Sequence, residues 1–215
     1  MILPILFVAL GFQAAARQAV QCRNAVDAAT PALQSRSGYT VQLKVHSEDD
    51  HLKDSHACQS DYELEVTRPD GTKLPSQFLI GVDGAWGRNM KFSVEGFSAD
   101  GKQAFALLGD PSITHNALMI FFSDISTGRS SSATLSEEFQ RSLGQSCAET
   151  LHISGTAPNG SPVLAAEKST ACAQTGLWSV TPGAVVNGIQ QASTPAPLNK
   201  DDKITPLDPG KIVAQ

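Results

Sequence analysis

Thr40-Val41-Gln42-Leu43-Lys44-Val45 and Asp61-Tyr62-Glu63-Leu64-Glu65-Val66 are the two stretches that decide the fold class. In each, polar and apolar residues alternate, and that period of two sets one face of a strand on a core and the other in water. Shorter stretches of strand-forming composition follow at 77–80, 91–94, 103–108, 118–123, 151–154, 162–166 and 177–180. Between them lie Arg68-Pro69-Asp70-Gly71, Ala99-Asp100-Gly101 and Pro158-Asn159-Gly160, where glycine supplies the positive φ of a tight turn. Thr134 and Glu137 have capping-box spacing, Phe139 and Leu143 share a helix face, and Gly144 is placed to end the helix. The expectation is an all-β, mainly antiparallel sandwich or two-layer domain with one short helix near 136–143.

Working outward, both ends are trimmed. Residues 2–12 are apolar except for Pro4 and Gly11, and Gln13-Ala14-Ala15-Ala16-Arg17 supplies a small-residue cleavage site, so 1–16 reads as a signal peptide. The run is shorter than the roughly 20 residues a spanning helix needs. Residues 17–38 form an N-terminal arm, readable as helix or loop, and 39–190 the β domain. The segment 191–215 has four prolines, no aromatic residue and three acids against three lysines. By composition it is a disordered tail, because it offers little apolar surface to offset its ordering entropy. The expected location is secreted or periplasmic, with no membrane association after signal cleavage.

Cys22, Cys58, Cys147 and Cys172 lie beyond the cleavage site. An even number of scattered cysteines in an exported chain favours disulfides over a metal or redox motif. Neighbour pairing, Cys22 with Cys58 and Cys147 with Cys172, is preferred.

Phe97-Ser98-Ala99-Asp100-Gly101-Lys102, the strand after it, 119–122 and Asp124-Ile125-Ser126-Thr127-Gly128 resemble one blade of a TolB-type or WD-repeat β-propeller, with Ala99 where that family has proline. A fainter likeness covers 157–180. The resemblance implies a partial or small propeller as the alternative fold, and partner binding through the face of the ring. The turn glycines Gly71, Gly101 and Gly160 are unevenly spaced, whereas blades repeat at about 40–45 residues.

With 16 Lys and Arg against 21 Asp and Glu and no basic run, the footprint of a nucleic-acid binder is missing. The acids concentrate between His46 and Val66, where seven stand against one lysine. His46, His51 and His56 with Asp49, Asp50 and Asp54 form the candidate site for a weakly held divalent cation, within an acidic loop joining two strands. No other cofactor is expected. Asp61, Glu63 and Glu65 point the same way along a strand and raise a paired-carboxylate reading, that of a small secreted hydrolase acting on glycans. Nucleophile elbows, zincin motifs and phosphate loops are absent, so no catalytic residue is assigned. His115 and His152 lie near strands, and Asn159-Gly160-Ser161 fits a glycosylation sequon. Trp86, in a glycine-rich loop, is a candidate contact for a sugar or a protein partner. The function expected is partner or ligand binding through loops, without catalysis.

Overall fold

The computed structural model describes residues 28–50, 57–83, 91–109, 118–144, 147, 150–167, 172, 176–182, 185–186, 189–199 and 201–213. The first sheet comprises β1 (Ala28–Ala29), β2 (Ala32–Gln34), β3 (Thr40–Asp50), β4 (Ala57–Thr67) and β5 (Gln77–Asp83). β2 to β5 form an antiparallel meander, and β1 pairs with β3. Both stretches that open the sequence reading form strands here, with Val41 opposite Val66 and Leu43 opposite Leu64. Pairing continues without a break to Asp50 opposite Ala57. The acidic stretch from His46 is therefore largely strand rather than connecting loop, because backbone pairing extends the hairpin past the point where apolar alternation stops.

The second sheet is the meander β6 (Lys91–Phe97), β7 (Gln103–Gly109), β8 (Met119–Asp124) and β9 (Arg129–Thr134). The stretch 97–128 that carries the blade likeness runs from the end of β6 through the β8–β9 turn. β9, Arg-Ser-Ser-Ser-Ala-Thr, has no strand signature of its own and forms by pairing with β8. The helix α1 (Glu137–Leu143) follows, burying Phe139 and Leu143 and ending at Gly144. Its N-cap is Ser136, whose Oγ accepts from the Phe139 N–H, and not the Thr134 of the expected capping box. Thr134 is the last residue of β9 and cannot also be the first residue of a cap.

In the third sheet β10 (Leu151–Thr156), β11 (Pro162–Ala166) and β12 (Gly176–Ser179) are consecutive antiparallel strands. β13 (Val185–Val186) and β14 (Ile189–Gln190) make a separate small ribbon. The described part of the expected disordered tail, 191–199 and 201–213, is instead structured. β15 (Ala196–Pro197) pairs with β12, β16 (Thr205–Pro206) with β10, and β17 (Lys211–Val213) with β2 of the first sheet. Composition misjudged this segment because sheet edges hold a chain through its backbone, which does not depend on apolar side chains.

The sheets stack in three antiparallel layers with the second in the middle. β7 is buried from Ala104 to Gly109. Ala104, Ala106 and Leu108 pack with Val41, Leu43, Leu64 and Val66 of the first sheet, while Phe105 and Leu107 pack with Leu151, Ile153 and Leu164 of the third. The two cores alternate along β7, so both faces of the middle sheet are dry at this strand. The fold is thus an all-β sandwich, and none of its sheets closes into a barrel.

Each of the three main sheets has the same hairpin turn. Gly38, Gly101 and Gly160 have φ of 86°, 68° and 82°. Each donates its N–H three residues back, to the carbonyls of Ser35, Ser98 and Ala157. Gly71, with a φ of 84° and its N–H donated to the Arg68 carbonyl, makes the same turn after β4, so the turn type is general to these hairpins.

Candidate functional site

Cross-strand register sets the outer face of the first sheet. His46 lies opposite Asp61, Lys44 opposite Glu63 and Gln42 opposite Glu65, on the side away from the Val41 and Leu43 core. Lys44 Nζ sits 2.8 Å from Glu65 Oε1 and Lys73 Nζ 3.8 Å from Oε2. Ser76 Oγ donates to Glu63 at 2.6 Å. The hydrogen bond from Lys44, helped by both ammonium charges, outweighs burial and holds the Glu65 carboxyl below its usual range. A glycosidase general acid needs a shift in the opposite direction.

The candidate cation ligands are only partly described. His46, Asp49 and Asp50 lie in β3, with Asp49 opposite Cys58 and Asp50 opposite Ala57. His51, Asp54 and His56 lie outside the described residues, as do Trp86, His115 and Cys22. Among the described residues no group of three His, Cys, Asp or Glu gathers to hold a metal. Cys147 and Cys172 form a disulfide, as the neighbour pairing expects, beside the core that contains Phe139. Trp178 meets Phe139 edge-on at 5.4 Å. His152 Nδ1 lies 3.3 Å from the Thr150 carbonyl oxygen.

A different set of residues converges between the second and third sheets. Gln103, Asp124 and Arg129 are direct cross-strand neighbours on β7, β8 and β9. Two residues along each strand, Phe105, Phe122 and Ser131 form the next row on the same face, which packs toward the third sheet. The β10–β11 turn brings Asn159, Ser161 and Pro162 against this row, and Val180 and Pro182 close the far side. The result is a cleft of about 380 Å³ lined by both apolar and polar residues.

Two of the polar groups are fixed by their own turns. Asp124 Oδ1 accepts from the Ser126 hydroxyl at 2.6 Å and from the Ser126 and Thr127 N–H groups. These bonds, the Ser126 hydroxyl foremost, hold its carboxyl below the usual range against the opposing effect of burial. Asn159 Oδ1 accepts from the Ser161 N–H at 3.0 Å, which fixes the side-chain amide within the turn. Arg129 is exposed and makes no ion pair among the described residues. Sequence reasoning placed Asn159 in a turn and a sequon and Asp124 in a blade-like closing turn, and gave no site role to Gln103, Asp124 or Arg129. Their one local signal was the Asp124-to-Gly128 turn, which places an acid and a base at facing ends of a hairpin.

Comparison with protein-family models, with curated proteins and with solved structures gives no match.

Proposed function

We propose that the protein is an exported, non-catalytic β domain that binds a hydroxyl-rich ligand, a glycan, in the cleft between its second and third sheets. The observation that carries this reading is one cleft lined both by apolar Phe122, Pro162, Val180 and Pro182 and by polar Gln103, Asp124, Arg129, Asn159 and Ser161. Sugars present an apolar C–H face beside adjacent hydroxyls, each both donor and acceptor. A cleft that combines apolar side chains with carboxylate, amide and guanidinium groups is complementary to that chemistry. The volume lies within the ordinary range of small-molecule sites, about 300–1,000 Å³. The apolar N-terminal run and the Cys147–Cys172 disulfide support export. The likeness of 97–128 to a propeller blade, in a family that binds partners through the face of the ring, is in keeping with a binding rather than a catalytic role.

Titration of neutral oligosaccharides, followed by NMR, should move the amides of 129–131 and 159–161. Arg129→Ala should weaken binding about tenfold, as expected for loss of a charge-assisted hydrogen bond worth about 1.5 kcal/mol, with thermal stability unchanged. Glycans that leave these amides unmoved, or turnover in a glycosidase panel, would overturn the reading.

A further inference from the structure

Residues 205–213 form a strap that reaches all three main sheets, at β10, β6 and β2. Thr205 and Pro206 pair with Thr156 and Gly155 of β10. Asp208 exchanges two backbone hydrogen bonds with Phe97 at the end of β6, at 2.8 and 2.9 Å. Lys211, Ile212 and Val213 pair with Gln34, Leu33 and Ala32 of β2. The bed is shaped for a backbone. A Cβ on Gly155 would lie 2.5 Å from the Thr205 carbonyl oxygen, and one on Gly96 would lie 2.7 Å from that of Asp208. On the strap itself, Gly210 has a φ of +72°, and a Cβ there would come within 2.6 Å of the Phe97 ring.

Little side-chain burial holds the strap. Leu207 packs against the core, whereas Thr205, Pro206, Pro209, Lys211 and Ile212 are exposed, Ile212 at 73%. One polar anchor adds to the backbone pairing: Asp208 Oδ2 accepts from the backbone N–H and the Nε of Arg36, both at 3.1 Å. Ahead of the strap runs an exposed turn, in which the Asp202 N–H donates to the Asn199 carbonyl at 3.1 Å. A segment whose own side chains are mostly exposed, and that is entered through an exposed turn, opens at lower free energy than the layers beneath it.

We propose that the groove along β2, β6 and β10 accepts residues 205–213 of a second copy of this chain, so that two molecules pair by exchanging straps. The groove's own pairing fixes the occupant. The same segment already satisfies the groove's pairing, its glycine approaches and the Arg36 anchor, and an identical strap from another molecule makes the same contacts. Strand edges left open by a departing strap are strong templates for another chain, and exchange of identical elements is a low-cost route to a dimer.

The test uses full-length chains. A Leu33→Cys copy is mixed with an Ile212→Cys copy, since these positions face each other between β2 and β17. The double variant in one chain serves as the control for geometry, and Leu33→Cys mixed with Asn199→Cys as the control for random encounter. Exchange predicts a disulfide-linked heterodimer whose yield rises with concentration and exceeds the encounter control at least about tenfold. Asp208→Asn on the strap copy should lower the yield about two- to fivefold, the range of an exposed ion pair. Efficient cross-linking within the double variant, with mixed copies no better than the encounter control, would overturn the proposal. So would failure of the double variant to cross-link, which would remove the register on which the strap rests.

Discussion

Asp100 and Asp124 show how single side chains set the hairpins. Asp100 Oδ1 accepts from the Ser98 hydroxyl at 2.6 Å and from the Lys102 N–H at 3.0 Å, the arrangement that Asp124 repeats with Ser126 and Thr127. Both carboxyls are held below the usual range, by the Ser98 and Ser126 hydroxyls first of all. A folded-state value lower than the unfolded one means that the stabilisation is present above the ordinary Asp value of about 3.9. It is lost as pH falls through the lower folded values. Melting temperature should therefore fall below about pH 4, and Asp100→Asn, which accepts the same bonds without a titrating charge, should make that fall shallower. An identical acid slope in the variant would show that the turn carboxyl contributes nothing. Gly155 belongs to the same scale. Gly155→Ala places a methyl against the Thr205 carbonyl and should cost about 1–3 kcal/mol in chemical denaturation, with the strap the first segment to be cut by protease. Unchanged stability would mean that the strap does not press on β10.

At the scale of elements, β7 is the strand on which both cores depend. Phe105 is fully buried among Leu118, Leu151 and Leu164, while its neighbours Ala104 and Ala106 face the other core. Phe105→Ala should destabilise by about 3–5 kcal/mol, measured from urea midpoints at constant slope. A loss below about 1 kcal/mol would mean that the layer between the second and third sheets is loosely packed. β9 makes the contrasting case. Its serines carry no hydrophobic signal, and it becomes a strand because β8 offers pairing groups, with Ser123 Oγ and Ser130 Oγ 2.7 Å apart across the pair. By the same pairing it delivers Arg129 to the cleft.

For the whole molecule, three antiparallel sheets are laced at β2, β6 and β10 by one C-terminal segment. Such a build predicts a graded response in native-state hydrogen exchange. Amides of β7, buried on both faces, should exchange only through global unfolding, and those of 205–213 should exchange fastest among the paired strands. Equal protection in both would show the strap to be part of the global folding unit.

The sequence by itself determined the β class, the principal strands and the sharp turns. Alternation at Val41, Leu43 and Val45 and positive-φ glycine at Gly101 and Gly160 are local properties that a strand or turn carries wherever it lies. Within the candidate site, the sequence picked out Asn159 for its turn and sequon and Asp124 for its turn, and did not reveal that Gln103, Asp124 and Arg129 form one row. Tertiary structure alone decided that 191–199 and 201–213 are ordered, that β3 and β4 extend through the acidic stretch, and that this row and Asn159 line one cleft. These outcomes depend on backbone groups of distant segments meeting in register and on two sheets closing on each other. Backbone pairing is the same for every residue but proline, so it leaves no mark in the side chains from which a sequence is read.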